Sequence, residues 1–173
     1  MEVYRSTILV EGRWQNHQER KTLVERSPVS TVNIALHGNV SFEWSRVRDA
    51  LAAPHGPDEP IFLGTVRPDG RPHVVGVGIS WFDGDIYFTT GPDTVKAANL
   101  EADPRCSLAG SLAQFDVSLD GVAERIVDPE QLAAMAERFR AIDWPATVVG
   151  DMLEAPINPQ TPTQLWNLYR FRF

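Results

Sequence analysis

Lys96 is the one lysine among residues 42–173 of a 173-residue chain that otherwise relies on arginine for positive charge. It stands just after Asp93 and Thr94, either of which can cap a short helix. Any task in the main body that needs an ammonium group falls to it. Taken alone, a lysine early in a helix is an ordinary solvated side chain. Gly76 and Gly78 alternate with valines in an extended run that begins at His73, and glycines inside a strand commonly mark a bulge. His73 reads by itself as a surface strand residue. Cys106 is the single cysteine; it lies in an apolar stretch and reads as a small core residue rather than a reactive thiol.

The familiar catalytic constellations are absent from the sequence. There is no GxSxG elbow, no GxxxxGK[ST] loop, no HExxH and no GxGxxG. His17, His37, His55 and His73 are at least eighteen residues apart and have no acidic partner at ligand spacing, so no metal site is expected. Asn39-Val40-Ser41 matches a glycosylation triplet, but nothing else in the chain points to secretion. The 16 basic and 23 acidic residues give a net charge of −7, which argues against a broad electrostatic grip on nucleic acid. A lone cysteine without a CxxC pair, and no run near the ~20 apolar residues of a membrane span, lead to a soluble, cytoplasmic expectation.

At 43% hydrophobic and 23% charged residues the composition is that of a globular domain. The first 40 residues differ from the rest. Their apolar residues fall in short islands without a sustained period, so residues 1–40 are expected to be an N-terminal arm or extension, partly ordered, with one domain over 41–173. In that domain a helix is predicted over 42–53, capped by Ser41 and stopped by Pro54, with Trp44, Val47, Arg48 and Leu51 on one face. Strands are predicted over 61–66, 73–81 and 86–90. They are joined by Arg67-Pro68-Asp69-Gly70 and Phe82-Asp83-Gly84 turns, and form a three-stranded meander.

A short helix over 95–102 follows, then a strand over 105–112. Phe115, Val117 and Leu119 alternate with Asp116, Ser118 and Asp120 in a half-buried strand that resumes after a break at Gly121 and runs to Ile126. Asp128-Pro129 opens a helix reaching about Ile142 with Leu132, Met135, Ala136 and Phe139 on one face. Three prolines in 155–162 exclude regular structure there, and 165–173 is a closing strand. This order is not βαβ alternation, so the fold class is mainly β (α+β), a barrel or antiparallel sheet with short helices.

Three stretches together resemble the pyridoxamine 5′-phosphate oxidase-like superfamily of flavin- and deazaflavin-binding split β-barrels. They are Gly64-Thr-Val-Arg-Pro-Asp-Gly-Arg-Pro-His-Val-Val75, then Ile86-Tyr-Phe-Thr-Thr90 with Thr94-Val-Lys-Ala-Ala-Asn-Leu100 and Asp103-Pro-Arg-Cys106, and Phe115-Asp-Val-Ser-Leu-Asp-Gly-Val-Ala-Glu124. The resemblance implies a six-stranded antiparallel split β-barrel that works as a homodimer, with FMN in the groove between protomers. Its ring would lie along His73, Val74, Val75, Gly76, Val77 and Gly78. Its phosphate would sit near Thr89, Thr90, Thr94 and Lys96, at the positive end of a helix. Asp116 falls where many relatives place a glutamine that reaches across the dimer, and Val95 where they place an arginine. Trp166 and Arg170 are the nearest counterparts of a substrate-binding tryptophan and arginine.

The function implied is an FMN-dependent oxidoreductase that passes hydride between flavin and a small-molecule substrate, with a nicotinamide reductant as a further partner. No catalytic acid or base is identified. A deazaflavin-dependent reductase and a non-catalytic flavin- or haem-binding barrel are the alternatives.

Overall fold

The computed structural model describes residues 6–11, 27–28, 30–33, 43–55, 59–112 and 115–173. In chain order the elements are β1 (Ser6–Glu11), β2 (Ser30–Asn33), α1 (Trp44–Ala52), β3 (Ile61–Val66), β4 (Pro72–Val77), β5 (Ile79–Phe82) and β6 (Asp85–Thr90). They continue as α2 (Val95–Ala102), β7 (Arg105–Leu112), β8 (Phe115–Ile126), α3 (Pro129–Ala141), β9 (Thr147–Val149), β10 (Met152–Pro156) and β11 (Thr163–Arg172).

The turn between β3 and β4 follows from its residues. Pro68 presets its own φ, Gly70 takes the left-handed φ of +85°, and the Gly70 N–H donates to the Arg67 carbonyl at 2.8 Å. The turn sets an antiparallel register in which Thr65 faces His73 and Leu63 faces Val75. Beyond Val77 the chain does not simply pair onward. At Gly78 it leaves β3 and re-forms as β5, which pairs with β6 through a turn whose Asp83 and Gly84 both have positive φ, the pattern suited to a tight hairpin. The expected three-stranded meander is therefore corrected: β4 and β5 are one bent strand with two different partners.

Around the sheet the order runs β4-β3-β7-β8-β11, and β6 lies on β11 with β5 beyond it. Counting the bent β4–β5 strand once, β3, β6, β7, β8 and β11 complete the six strands of a split β-barrel. Its two edges are joined through Gly78 by the chain itself. Gly121 is likewise a change of partner and not an interruption. Residues 115–120 of β8 pair in parallel with β1, whereas Val122 to Ile126 pair with β11. A Cβ at Gly121 would lie 2.1 Å from the Arg172 carbonyl oxygen, so only glycine permits the crossing.

The barrel is filled by side chains at every second position, among them Leu63, Ile86, Phe88, Leu108, Leu119 and Phe171, all at most 2% exposed. Phe88 stacks on Tyr169 with ring centroids 5.2 Å apart. A second apolar cluster forms where Leu132, Met135, Ala136 and Phe139 of α3 close over Leu153, Ala155 and Leu168. The start of α3 is as the sequence dictates, with Pro129 in the first turn and the Asp128 carboxylate accepting from the Gln131 N–H at 2.9 Å.

Three local expectations change. Helix α1 begins at Trp44 behind Glu43, which makes no side-chain cap; Ser41 and Phe42 lie outside the described residues. The β9–β10 hairpin was not anticipated, although Gly150 supplies its positive-φ turn. Strand β10 also runs through Pro156, within the stretch expected to be irregular. Pro156 pairs only with Thr163 and lies past the end of β9, so its missing N–H interrupts no ladder on that side. Among the described residues no helix is long and apolar enough to cross a membrane.

Candidate functional site

Strand β4 sorts the expected ring-binding residues into two sets. His73, Val75 and Val77 are half-buried, and Val77 packs on the barrel core; Val74, at 64% exposed, and Gly76 point outward. The alternation carries through Gly78 to Ser80 of β5. A Cβ added at Gly76 or Gly78 would meet nothing within 4 Å, so neither glycine is required by the packing of the chain itself. The outer backbone of this strand is open to a flat ligand. Its position is fixed from within: the Thr65 hydroxyl donates to the His73 carbonyl at 3.3 Å, and the buried Asn99 amide of α2 donates to Thr65 Oγ1 at 2.9 Å.

The second set lies at the β6–α2 junction. Thr89 faces outward and half-buried. Thr90 faces inward and is fully buried. Thr94 Oγ1 accepts from the Ala97 N–H at 3.3 Å, which makes it the cap of α2, and donates its own proton to the Gly91 carbonyl at 2.8 Å. The Thr90 hydroxyl, 2.7 Å from Thr94 Oγ1, must then be the donor in that pair. Both hydroxyls thus build the turn. The Val95 and Lys96 N–H groups, at the first two positions of the helix, have no acceptor within it, and no acidic residue occupies the first turn. We expect Thr94→Ala to cost about 1 kcal/mol, the usual worth of such a cap, read as a lowered urea midpoint at unchanged slope.

Lys96 is half-buried on that first turn. Burial lowers the pKa of its ammonium group, and among the described residues it has no ion-pair partner. By contrast, Arg105 pairs with Asp103, Arg125 with Asp151, and both Arg170 and Arg172 with Glu124. Val95 is 43% exposed beside Lys96.

Asp116 is not brought to this groove within one protomer. It lies on β8, three strands from β4, or about 14 Å across the sheet at the usual strand spacing. Trp166 and Arg170 are tied elsewhere. The Trp166 indole N–H donates to the Ala155 carbonyl at 2.9 Å, and Arg170 donates to Glu124 at 2.9 Å. Cys106 is buried, and burial pushes its thiol up to about 12 despite a backbone hydrogen bond to Ala123. A thiol reagent at neutral pH should leave the native protein unlabelled and label it fully in denaturant.

One feature had no signal in the sequence. Gly78, Ser80 and Thr89 continue the open strand face into a cleft of about 210 Å³, closed on its far side by Phe139, Ile142 and Trp144. The tryptophan after α3 could have been read as a wall only with knowledge that α3 lies across β5 and β6.

The fold is thus an antiparallel split barrel with an open strand face and a cationic helix start. The chain belongs to the pyridoxamine 5′-phosphate oxidase family, whose model matches residues 48–160. Among solved structures, a putative pyridoxamine 5′-phosphate oxidase from Listeria innocua is 16% identical with a TM-score of 0.51, over 75% of this chain and 93% of its own. A NimC/NimA family protein from Clostridium acetobutylicum is 13% identical with a TM-score of 0.50, over 73% and 80%. A conserved hypothetical protein from Mycobacterium tuberculosis is 28% identical with a TM-score of 0.46, over 60% and 68%. No curated protein matches the chain.

Proposed function

We propose that this protein is a homodimeric FMN-dependent oxidoreductase acting on a small molecule in the cytosol. The observation that carries the reading is Lys96, a partly desolvated ammonium group on the first turn of α2 with no described acid to neutralise it. Desolvating a charge is unfavourable unless a partner compensates, and an anionic group at a helix N-terminus is such a partner. Lys96, together with the Val95 and Lys96 N–H groups, would hold the phosphate. Gly76 and Gly78 would let the ring lie against the outer backbone of the bent strand, where no described atom comes within 4 Å of an added Cβ. FMN, when bound, supplies hydride transfer at its N5, with a nicotinamide cofactor as reductant.

The dimer is supported by the outer face of the β3–β4 hairpin. Phe62, Val66 and Val74 are 43%, 42% and 64% exposed there, an apolar row of the kind that a second copy covers. The family resemblance has the residue at position 116 reach toward the groove from such a partner, which it does not do within one protomer.

Retention of added FMN through gel filtration, followed by bleaching of its visible spectrum on addition of NADH or NADPH, tests the reading. A protein that elutes colourless refutes it. Retained flavin that no nicotinamide reduces points to the non-catalytic barrel, and exclusive retention of the deazaflavin coenzyme points to that cofactor. Val95 and Asp116 favour the non-catalytic alternative, because an apolar side chain stands where the resemblance asks for an arginine and a carboxylate where it asks for a glutamine.

A further inference from the structure

The cleft beyond Gly78 differs in chemistry from the phosphate end of the groove. Its floor is the outer face of β5 and β6, where Ser80 pairs with Tyr87 across the ladder and Thr89 is the next outward residue. Its wall is Phe139, Ile142 and Trp144. The wall is fixed in place: the Trp144 indole N–H donates to the Pro156 carbonyl at 2.8 Å, and its ring meets Phe139 edge-on at 4.9 Å. Ile142 stands on the rim, 54% exposed.

Among the described residues no charged side chain lines the cleft. The arginines on the flanking elements are each engaged: Arg138 with Asp83, Arg140 with the Ala146 carbonyl at 2.7 Å, and Arg170 with Glu124. A phosphate or carboxylate placed here would lose hydration and meet no lysine or arginine among the described lining residues. Two aromatic rings and an isoleucine offer edge and face contacts to a ring, while hydroxyls on Ser80 and Thr89 offer hydrogen bonds to a neutral polar substituent. The volume, about 210 Å³, lies below the range of roughly 300–1,000 Å³ usual for drug-sized ligands, which limits the occupant to one or two rings.

We infer that this cleft is the substrate subsite and that it takes an uncharged one- or two-ring aromatic compound, excluding phosphorylated pyridoxal compounds. The inference rests on the flavin reading only in calling the occupant a substrate; the binding site stands on the cleft itself.

Equilibrium dialysis of the full chain against 2-naphthamide, 2-naphthoate and pyridoxal 5′-phosphate, each with and without FMN, tests it. The neutral amide should bind at least tenfold more tightly than the carboxylate of the same ring system, and more tightly than pyridoxal 5′-phosphate. Ile142→Asp, a change at a rim position 54% exposed, should weaken the amide at least tenfold and leave FMN retention unchanged. Equal or tighter binding of either anion overturns the inference, as does amide binding indifferent to Ile142→Asp, or no amide binding at all. One-for-one displacement of the amide by FMN also overturns it, because the cleft would then seat the flavin itself. If the protein retains no FMN yet binds the amide in an Ile142-dependent way, the flavin reading fails and the subsite stands.

Discussion

Lys96→Ala is expected to weaken FMN binding by about ten- to a hundredfold, the equivalent of one charge-assisted hydrogen bond of roughly 1.5–3 kcal/mol. The size of the effect follows from scarcity. No other lysine exists beyond residue 41, so no neighbouring ammonium group can take over. Val95 on the same turn adds nothing to phosphate binding except its backbone N–H. Lys96→Arg should recover most of the affinity, and Val95→Arg should raise it above that of the natural protein by restoring a second cation. Quenching of flavin fluorescence on titration measures all three. Wild-type affinity in Lys96→Ala would remove the lysine from the site. Because burial holds the ammonium pKa below its ordinary value in the free protein, a bound phosphate should raise it again, visible as a small proton uptake on binding at alkaline pH.

The largest effect on stability is expected at Gly121. An added methyl group would lie 2.1 Å from the Arg172 carbonyl oxygen, 2.9 Å from its carbonyl carbon and 2.8 Å from Phe171 Cζ. Two of these contacts are backbone, so relief requires β8 and β11 to separate where both also hold other partners. Overpacking of this kind costs about 3 kcal/mol, toward the upper end of the usual range. Gly121→Ala should therefore unfold at clearly lower urea or temperature than the natural protein, while Gly76→Ala, which fills open space, should cost no more than a few tenths of a kcal/mol. Equal midpoints for the two variants would contradict a close crossing of β8 and β11 at Gly121.

Much of this was legible residue by residue. Helix α2 and strand β7 fall where capping, proline and apolar alternation put them, and the inward set Phe115, Val117 and Leu119 is buried as the period-two pattern requires. Local chemistry decides such features. The partner changes at Gly78 and Gly121 were not legible, since glycine in a strand signals tolerance of close approach without saying what approaches. The parallel ladder between Ser6 and Phe115 joins segments more than a hundred residues apart, and no local pattern encodes such a pairing. The site divides the same way. Lys96 stands out by composition alone, whereas the wall of Phe139, Ile142 and Trp144 exists only once α3 is folded over β5 and β6.

The bend at Gly78 has a mechanical meaning. On one side of it β4 is laced to β3, and on the other β5 is laced to β6, so along this seam the two halves of the barrel are held by a single covalent link and by the packing beneath it. A flat molecule resting on Gly76 and Gly78 would reach across the seam as a cross-brace. Its binding should slow amide exchange in both hairpins together, at residues it never touches.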